Sequence, residues 1–331
     1  MSAASTPRDA AARPEWLARR ERSNRLALAL MAWVATTLGR RFARVLLHPI
    51  ALYFLVFSPT AARHSQRYLQ RVLDRRPGWR ERYRHFHCFA SVVLDRVYFA
   101  RGQMHLFEID VQGGPRVDET LALGQGAFML GAHFGSFEAL HAIGATRPGM
   151  RVAHVMYPGN AEMIQRALAA IAPGFAMSII EIGRAGSTLA IRDWLDNGGL
   201  VGLLGDRWMP PTGTAASARD GGVVVHRFLG QDAAFTDGPL RLAQVLRRRV
   251  LLMTGLYRGG NRYELRFEPL ADFSQPMIGP DGQPLPREAA LAQAQATYVA
   301  RLEGLCHEAP YNWFNFYDYW ALPAPRGEAA A

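Results

Sequence analysis

Apolar residues recur along this chain in two rhythms. From Ala61 to Arg101, leucine, valine and aromatic residues return every three or four positions among arginines, the period of helices with one buried stripe. Pro77-Gly78 interrupts that stretch and predicts two helices rather than one. From about residue 126, short unbroken apolar runs alternate with amphipathic ones. Strands are predicted near 126–131, 151–156, 177–182 and 200–204, and helices near 136–145, 160–171 and 186–197. Val223–Phe228 reads as another strand. A helix then runs to about Arg247, capped by Thr236 or Asp237 and with Pro239 in its first turn. Runs near 250–257 and 262–268 form a hairpin around Gly259-Gly260-Asn261, and an alanine-rich helix covers 288–307. Strand–helix–strand alternation requires crossover connections. The predicted fold is therefore α/β, with a mixed, largely parallel sheet flanked by helices.

The N-terminal pattern is different. Residues 1–24 are a polar tail without the layout of a signal peptide. Leu26–Leu38 carries no charge; Gly39, Arg40, Arg41 and Arg44 follow. A second apolar run, Val45–Phe57, is broken at His48-Pro49. Each run is shorter than the roughly 20 residues that cross a bilayer. Together they predict either one long, tilted or bent helix, or two helices lying in the interface with arginines reaching lipid phosphates. The expectation is a membrane-associated segment, monotopic or single-pass, on the cytoplasmic face of the inner membrane. The chain then divides into the tail (1–24), a membrane-associated helical region (25–101), an α/β domain (102–322) and a short tail (323–331).

Composition sharpens this picture in three places. With 331 residues, 49% of them apolar, the chain can bury a sizeable core. All 38 basic residues are arginine, and 19 of them fall within residues 1–101 against six acidic ones. Such asymmetry points to an anionic surface. No zinc-finger, RNA-binding or helix-turn-helix pattern accompanies it, and the arginines flank apolar runs, so a membrane is expected and nucleic acid is not. Cys88 and Cys306 are too far apart for a metal motif or a disulfide framework, which suggests a reducing compartment. No metal or cofactor is expected.

The candidate chemistry lies at Gly131-Ala132-His133-Phe134-Gly135-Ser136-Phe137-Glu138, where a buried strand ends and a helix begins. Open α/β sheets bind ligands at such junctions. Five residues along a helix turn through about 500°, so His133 and Glu138 meet only if His133 stands on the strand end or turn and Glu138 in the first helical turn. Gly135 permits that turn and Ser136 is a favoured N-cap. A carboxylate accepting the Nδ1–H would fix the tautomer and leave the other ring nitrogen as a general base. A histidine near a glutamate is more often a structural pair, so the spacing alone carries little weight. A second strand, Leu200–Leu204, ends at Gly205-Asp206-Arg207-Trp208. If the strands are parallel, these charges share an edge with His133, and Arg207 suits phosphate or carboxylate recognition or closes the loop with Asp206. Residues 209–221 read as a mobile loop over the site. The tail Tyr311–Trp320 holds seven aromatic residues and is expected to pack on the domain, line an apolar groove or touch the interface.

Taken together, the apolar basic N-terminus, the Gly131–Glu138 block, the Gly199–Arg207 block, Phe228-Leu229-Gly230 with Phe235–Pro239, and the aromatic C-terminal stretch resemble the bacterial lipid A biosynthesis (late) acyltransferases. These belong to the wider lysophospholipid acyltransferase-like superfamily, and the resemblance spans roughly residues 25–320. The tail is similar to that of the branch found with aryl-polyene or xanthomonadin-type pigment clusters. The resemblance implies a glycerolipid acyltransferase-like fold and transfer of an acyl chain from acyl carrier protein or acyl-coenzyme A to a hydroxyl of a membrane lipid. It implies His133 as general base with Glu138 as partner, Gly135 and Ser136 at the substrate turn, and Asp206 and Arg207 as organisers of the site or binders of an acceptor phosphate. One departure bears on the acceptor. Lipid A enzymes usually carry a basic residue after a segment like Met156-Tyr157-Pro158-Gly159-Asn160, which is uncharged here, so a phosphorylated disaccharide is less favoured.

Overall fold

A computed structural model describes residues 39–145, 149–159, 177–208 and 222–322, together with 37, 161, 162, 165 and 172. The first quarter of the described chain is helical: α1 (Gly39–Phe57), α2 (Pro59–Val72) and α3 (Trp79–Ala100). The α/β part follows as β1 (Glu108–Gln112), α4 (Gly114–Ala122), β2 (Ala127–Gly131), α5 (Phe137–Ala145), β3 (Val152–Met156), β4 (Ser178–Glu181), α6 (Ser187–Asp196) and β5 (Leu200–Leu204). Then come β6 (Val223–Phe228), β7 (Gln231–Thr236), α7 (Gly238–Val245), β8 (Arg249–Tyr257), β9 (Arg262–Asp272) and α8 (Arg287–Glu308). Seven strands form one sheet in the order β1-β9-β8-β2-β5-β3-β4. All neighbours are parallel except β8 and β9, which the Gly259-Gly260 turn joins as an antiparallel hairpin. A separate antiparallel pair is made by β6 and β7.

The unbroken apolar runs are strands covered on both faces. In β2, Phe128 and Leu130 enter one core with Ile191, Leu195, Tyr298 and Trp313, whereas Ala127 and Met129 enter the opposite core with Leu47, Val92 and Leu140. That split is the two-residue period of a strand. Three elements escape the sequence pattern. The edge strand β1 alternates exposed Glu108, Asp110 and Gln112 with half-buried residues. Helix α4 starts at Gly114-Pro115, in a stretch to which the sequence pattern assigned no element. β7 begins with the exposed pair Gln231-Asp232.

The region before the sheet is latched to it. Helix α1 buries Ala43, Leu47 and Ala51, a four-residue spacing of small and apolar side chains. Arg40 and Arg44, expected to reach lipid phosphates, turn inward instead. Arg40 makes a two-pronged pair with the buried Asp95 at 2.7 and 2.8 Å, and Tyr263 donates to the same carboxylate at 2.8 Å. Arg44 donates to the Tyr257 hydroxyl at 2.9 Å and to the Gly260 carbonyl at 2.8 Å. His48-Pro49 does not break the helix: Pro49 lies inside α1 on its exposed side. The chain bends by 95° between α1 and α2. Among the described residues no single helix is long and apolar enough to cross a membrane; the bent pair α1–α2 qualifies by length and composition only. The Leu26–Leu38 run, most of the helix expected near 160–171 and the 209–221 loop lie outside the described residues.

Candidate active site

Parallel register brings the site together. Strands β2 and β5 are neighbours, with Gly131 opposite Leu204. Two residues past each of these, the chain presents His133 and Asp206 at the carboxyl edge of the sheet. The His133 Nδ1 lies 2.8 Å from Asp206 Oδ1. Asp206 is fully buried, while His133 keeps 31% of its side chain accessible. The other Asp206 oxygen, Oδ2, accepts from Trp313 Nε1 at 3.2 Å and Asn315 Nδ2 at 3.0 Å, and its main-chain carbonyl accepts from the Tyr319 hydroxyl at 2.5 Å. The end of β2 is pinned from below, since Tyr298 donates to the Gly131 carbonyl at 2.9 Å.

The turn after His133 is fixed by its backbone. Gly135 has φ of 63°, and a Cβ there would meet the Gly255 carbonyl oxygen at 1.9 Å, so only glycine fits. Ser136 is fully buried; its Oγ accepts from the Ala139 amide at 3.1 Å as the cap of α5, and no hydroxyl is presented to the cleft. The amides of Phe134, Gly135 and Ser136 donate to the carbonyls of Ala132, Asn312 and Gly255 at 2.6, 2.8 and 2.7 Å. They are therefore not donors for a bound oxyanion. Gly135 and Ser136 shape the turn rather than touch a ligand through side chains.

Glu138 is not the partner of His133. It stands in the first turn of α5, on the side that faces α3, and pairs with Arg96 Nε at 2.6 Å. The strand register had already placed a carboxylate against Nδ1, and the guanidinium on α3 takes the nearer glutamate. Arg207 donates from Nε to Asn315 Oδ1 at 2.8 Å and from Nη2 to the Phe314 carbonyl at 3.2 Å, and its guanidinium lies over the Tyr317 ring at 5.4 Å. It organises the C-terminal stretch against the site.

That stretch contributes the residues the sequence reading missed. Phe134 bridges to Trp313, Phe314 N donates to the His133 carbonyl at 2.8 Å, and the Asn312 amide group holds both main-chain polar atoms of Tyr257, at 2.8 and 3.2 Å. Trp313 is fully buried. The available signal was Asn312 and Asn315 set among aromatics: a buried amide needs partners, and here they are Tyr257 and Asp206 at the carboxyl edge of the sheet.

Electrostatics assign the protons. Burial alone would raise the Asp206 pKa, but His133, Arg207 and Asn315 outweigh it and hold the carboxyl well below its ordinary range. An ionised carboxylate only accepts, so Nδ1 of His133 carries the hydrogen and Nε2 carries the lone pair. Burial pushes the His133 pKa below its ordinary value and Arg207 acts in the same direction, while Asp206 opposes both. The ring is neutral near pH 7 and held in one tautomer, with the lone pair on Nε2.

A buried, ionised Asp206 behind a partly exposed, neutral His133, at the carboxyl ends of the parallel neighbours β2 and β5, defines an α/β protein whose sheet edge presents an imidazole with Nε2 turned away from its carboxylate. A model of the bacterial lipid A biosynthesis acyltransferase family matches residues 14–320, and the chain belongs to that family. Its α/β core and its acyltransferase class follow from the membership. No curated protein matches the chain.

Proposed function

We propose that the protein moves a fatty acyl chain from an acyl thioester, on acyl carrier protein or coenzyme A, to a hydroxyl of a membrane glycolipid, a lipid A-like lipid or a polyene lipid. The observation that carries this reading is the His133–Asp206 pair with Nε2 turned away from its carboxylate. Nε2 takes the proton of the acceptor hydroxyl and Asp206 stabilises the imidazolium that forms. The acceptor oxygen attacks the thioester carbonyl, a C–O bond forms, and the tetrahedral intermediate collapses with loss of the thiolate, which takes the proton back from His133. No side-chain nucleophile is needed. With the turn amides engaged, Arg207, whose charge acts on His133, is assigned the stabilisation of the developing oxyanion. Glu138, beside the same turn, ties α5 to α3 through Arg96 and does not orient the base.

The same reading places the protein on the inner membrane, facing the cytoplasm. Its support is the outer side of α1, where Phe42, Val45, Leu52, Tyr53, Val56 and Phe57 are each about half exposed or more. An apolar face of that extent on one helix is a docking surface. The arginine excess of residues 1–101 suits both anionic lipid headgroups and an acidic carrier protein.

The test is mass spectrometry of total lipids and pigments from cells with and without the gene, complemented by wild type or His133→Ala. One acylated species should vanish on deletion and return only with wild type. Its return with folded His133→Ala would remove His133 as the base and, with it, this mechanism.

A further inference from the structure

Asp206 and Arg207 follow one another just past the end of β5, where burial strengthens the attraction between opposite charges. A direct ion pair is the simplest arrangement for such neighbours. It would work against the base, because a carboxylate shared with a guanidinium holds an imidazolium less firmly. The protein builds something else. The side-chain amide of Asn315, 1% exposed, stands between the two groups. Its Oδ1 accepts from Arg207 Nε at 2.8 Å, and its Nδ2 donates to Asp206 Oδ2 at 3.0 Å.

Few side chains can stand there. A guanidinium donates and never accepts; an ionised carboxylate accepts and never donates. A group between them needs one acceptor and one donor at short reach. The asparagine amide carries both on one rigid plane, and its two partners leave it a single orientation.

The remaining contacts show where each charge is directed. Asp206 Oδ1 is left to His133 Nδ1 at 2.8 Å, while Oδ2 takes Asn315 and Trp313. Arg207 Nη2 is turned to the Phe314 carbonyl, and the guanidinium lies over the Tyr317 ring. Tyr298, Tyr317, Tyr319 and Cys306 also face Asp206; burial raises the pKa of all four, and they stay uncharged near neutral pH. Beyond the effect of burial, the balance at His133 is therefore set by Arg207, which lowers its pKa, and Asp206, which raises it.

We propose that Asn315 is a positioning residue whose amide holds Arg207 off the Asp206 carboxylate, so that Asp206 serves His133 and Arg207 keeps its charge for the reacting group. Its use in turnover rests on the acyl-transfer reading above. No bond is made or broken at Asn315.

The test is a double-mutant cycle on the full-length protein: wild type, Asn315→Leu, Arg207→Gln and the double variant. Two quantities are measured on each. One is the His133 pKa, by NMR of histidine-labelled protein assigned with His133→Ala. The other is transfer from an acyl thioester to total lipid extract of the source cells. Leucine leaves Oδ2 its Trp313 donor but releases Arg207 to pair with it. The His133 pKa should then fall by about 1 on the pH scale. At pH 7, kcat should fall about tenfold and KM should stay within about twofold. Removing Arg207 as well should reverse the fall in pKa, so Arg207→Gln should raise it more in the leucine background than in wild type. If Asn315 is only a donor to Asp206, its loss strengthens the carboxylate's hold on His133 and the pKa rises. If it is only a packing group, the effects of the two substitutions add. Either result overturns the proposal. Should the leucine variant not fold, the smaller Asn315→Val replaces it in the cycle, with the same signs. If wild type consumes no thioester, the acyl-transfer reading fails, and the His133 titrations still decide whether Asn315 separates the two charges.

Discussion

Replacing Asp206 by Asn keeps its volume and removes its charge. Asp206 is what raises the His133 pKa against burial and Arg207, so without it that pKa drops further. The acid limb of kcat/KM should move to lower pH. Turnover should fall about a hundredfold or more, because an amide at that site also donates to Nδ1 and moves the hydrogen to Nε2, where it blocks the base. Arg207→Gln removes one of the two causes that lower His133, and its acid limb should move to higher pH. A pH–rate profile of the two variants checks both signs; limbs moving together would contradict the assigned electrostatics. At this scale the sequence exposes His133, because a histidine between a buried strand and Gly135-Ser136 is placed by local chemistry. It points to the wrong carboxylate, because Glu138 is near in sequence while Asp206 is near only through the β2–β5 register.

Helix α1 has two faces with opposite fates. Ala43, Leu47 and Ala51 are buried against the body, and Arg40 and Arg44 tie the helix to Asp95, Tyr257 and the Gly260 turn. Phe42, Val45, Leu52 and Val56, at three- to seven-residue steps, point outward, each 48–63% exposed. Serine at these four positions should leave the circular dichroism spectrum and melting temperature nearly unchanged. Co-sedimentation with anionic phospholipid vesicles should fall about tenfold or more, since each buried apolar side chain contributes about 1.5–3 kcal/mol. Undiminished vesicle binding would assign the docking to another surface. The apolar run and the arginines at its start are visible in sequence. Which arginines turn inward is not, since their partners come from α3 and from the β8–β9 hairpin far along the chain.

Across the whole molecule, buried neutral histidines set the response to acid. His85, bonded to Ser65 Oγ at 2.8 Å and to the Trp313 carbonyl at 2.9 Å, is pushed by burial from 6.5 down to about 4, and His154 is pushed to about 3. Their unfolded forms bind protons near pH 6.5, whereas the folded forms resist until much lower pH. Between these values the unfolded state holds more protons, so stability falls as pH drops from about 6.5 toward 4 and is complete above that window. Thermal melts from pH 7 to 4 should show a steady fall in midpoint, and a flat profile would mean that these rings are not neutral in the fold. His85 also ties the helical region to the aromatic tail. Much of this architecture is fixed by the sequence alone. Unbroken apolar runs dictate strands buried on both faces, their alternation with amphipathic stretches dictates parallel crossovers, and Gly135 with Ser136 dictates the turn that presents His133. These are short-range consequences of side-chain period and backbone freedom. Only the tertiary structure decided the rest: Asp206 as the partner of His133, Glu138 as the partner of Arg96, and Trp313 and Asn315 as the clamp on Asp206. Each of these is a contact between distant segments, and such pairings depend on strand order and register, which are set by how whole surfaces pack.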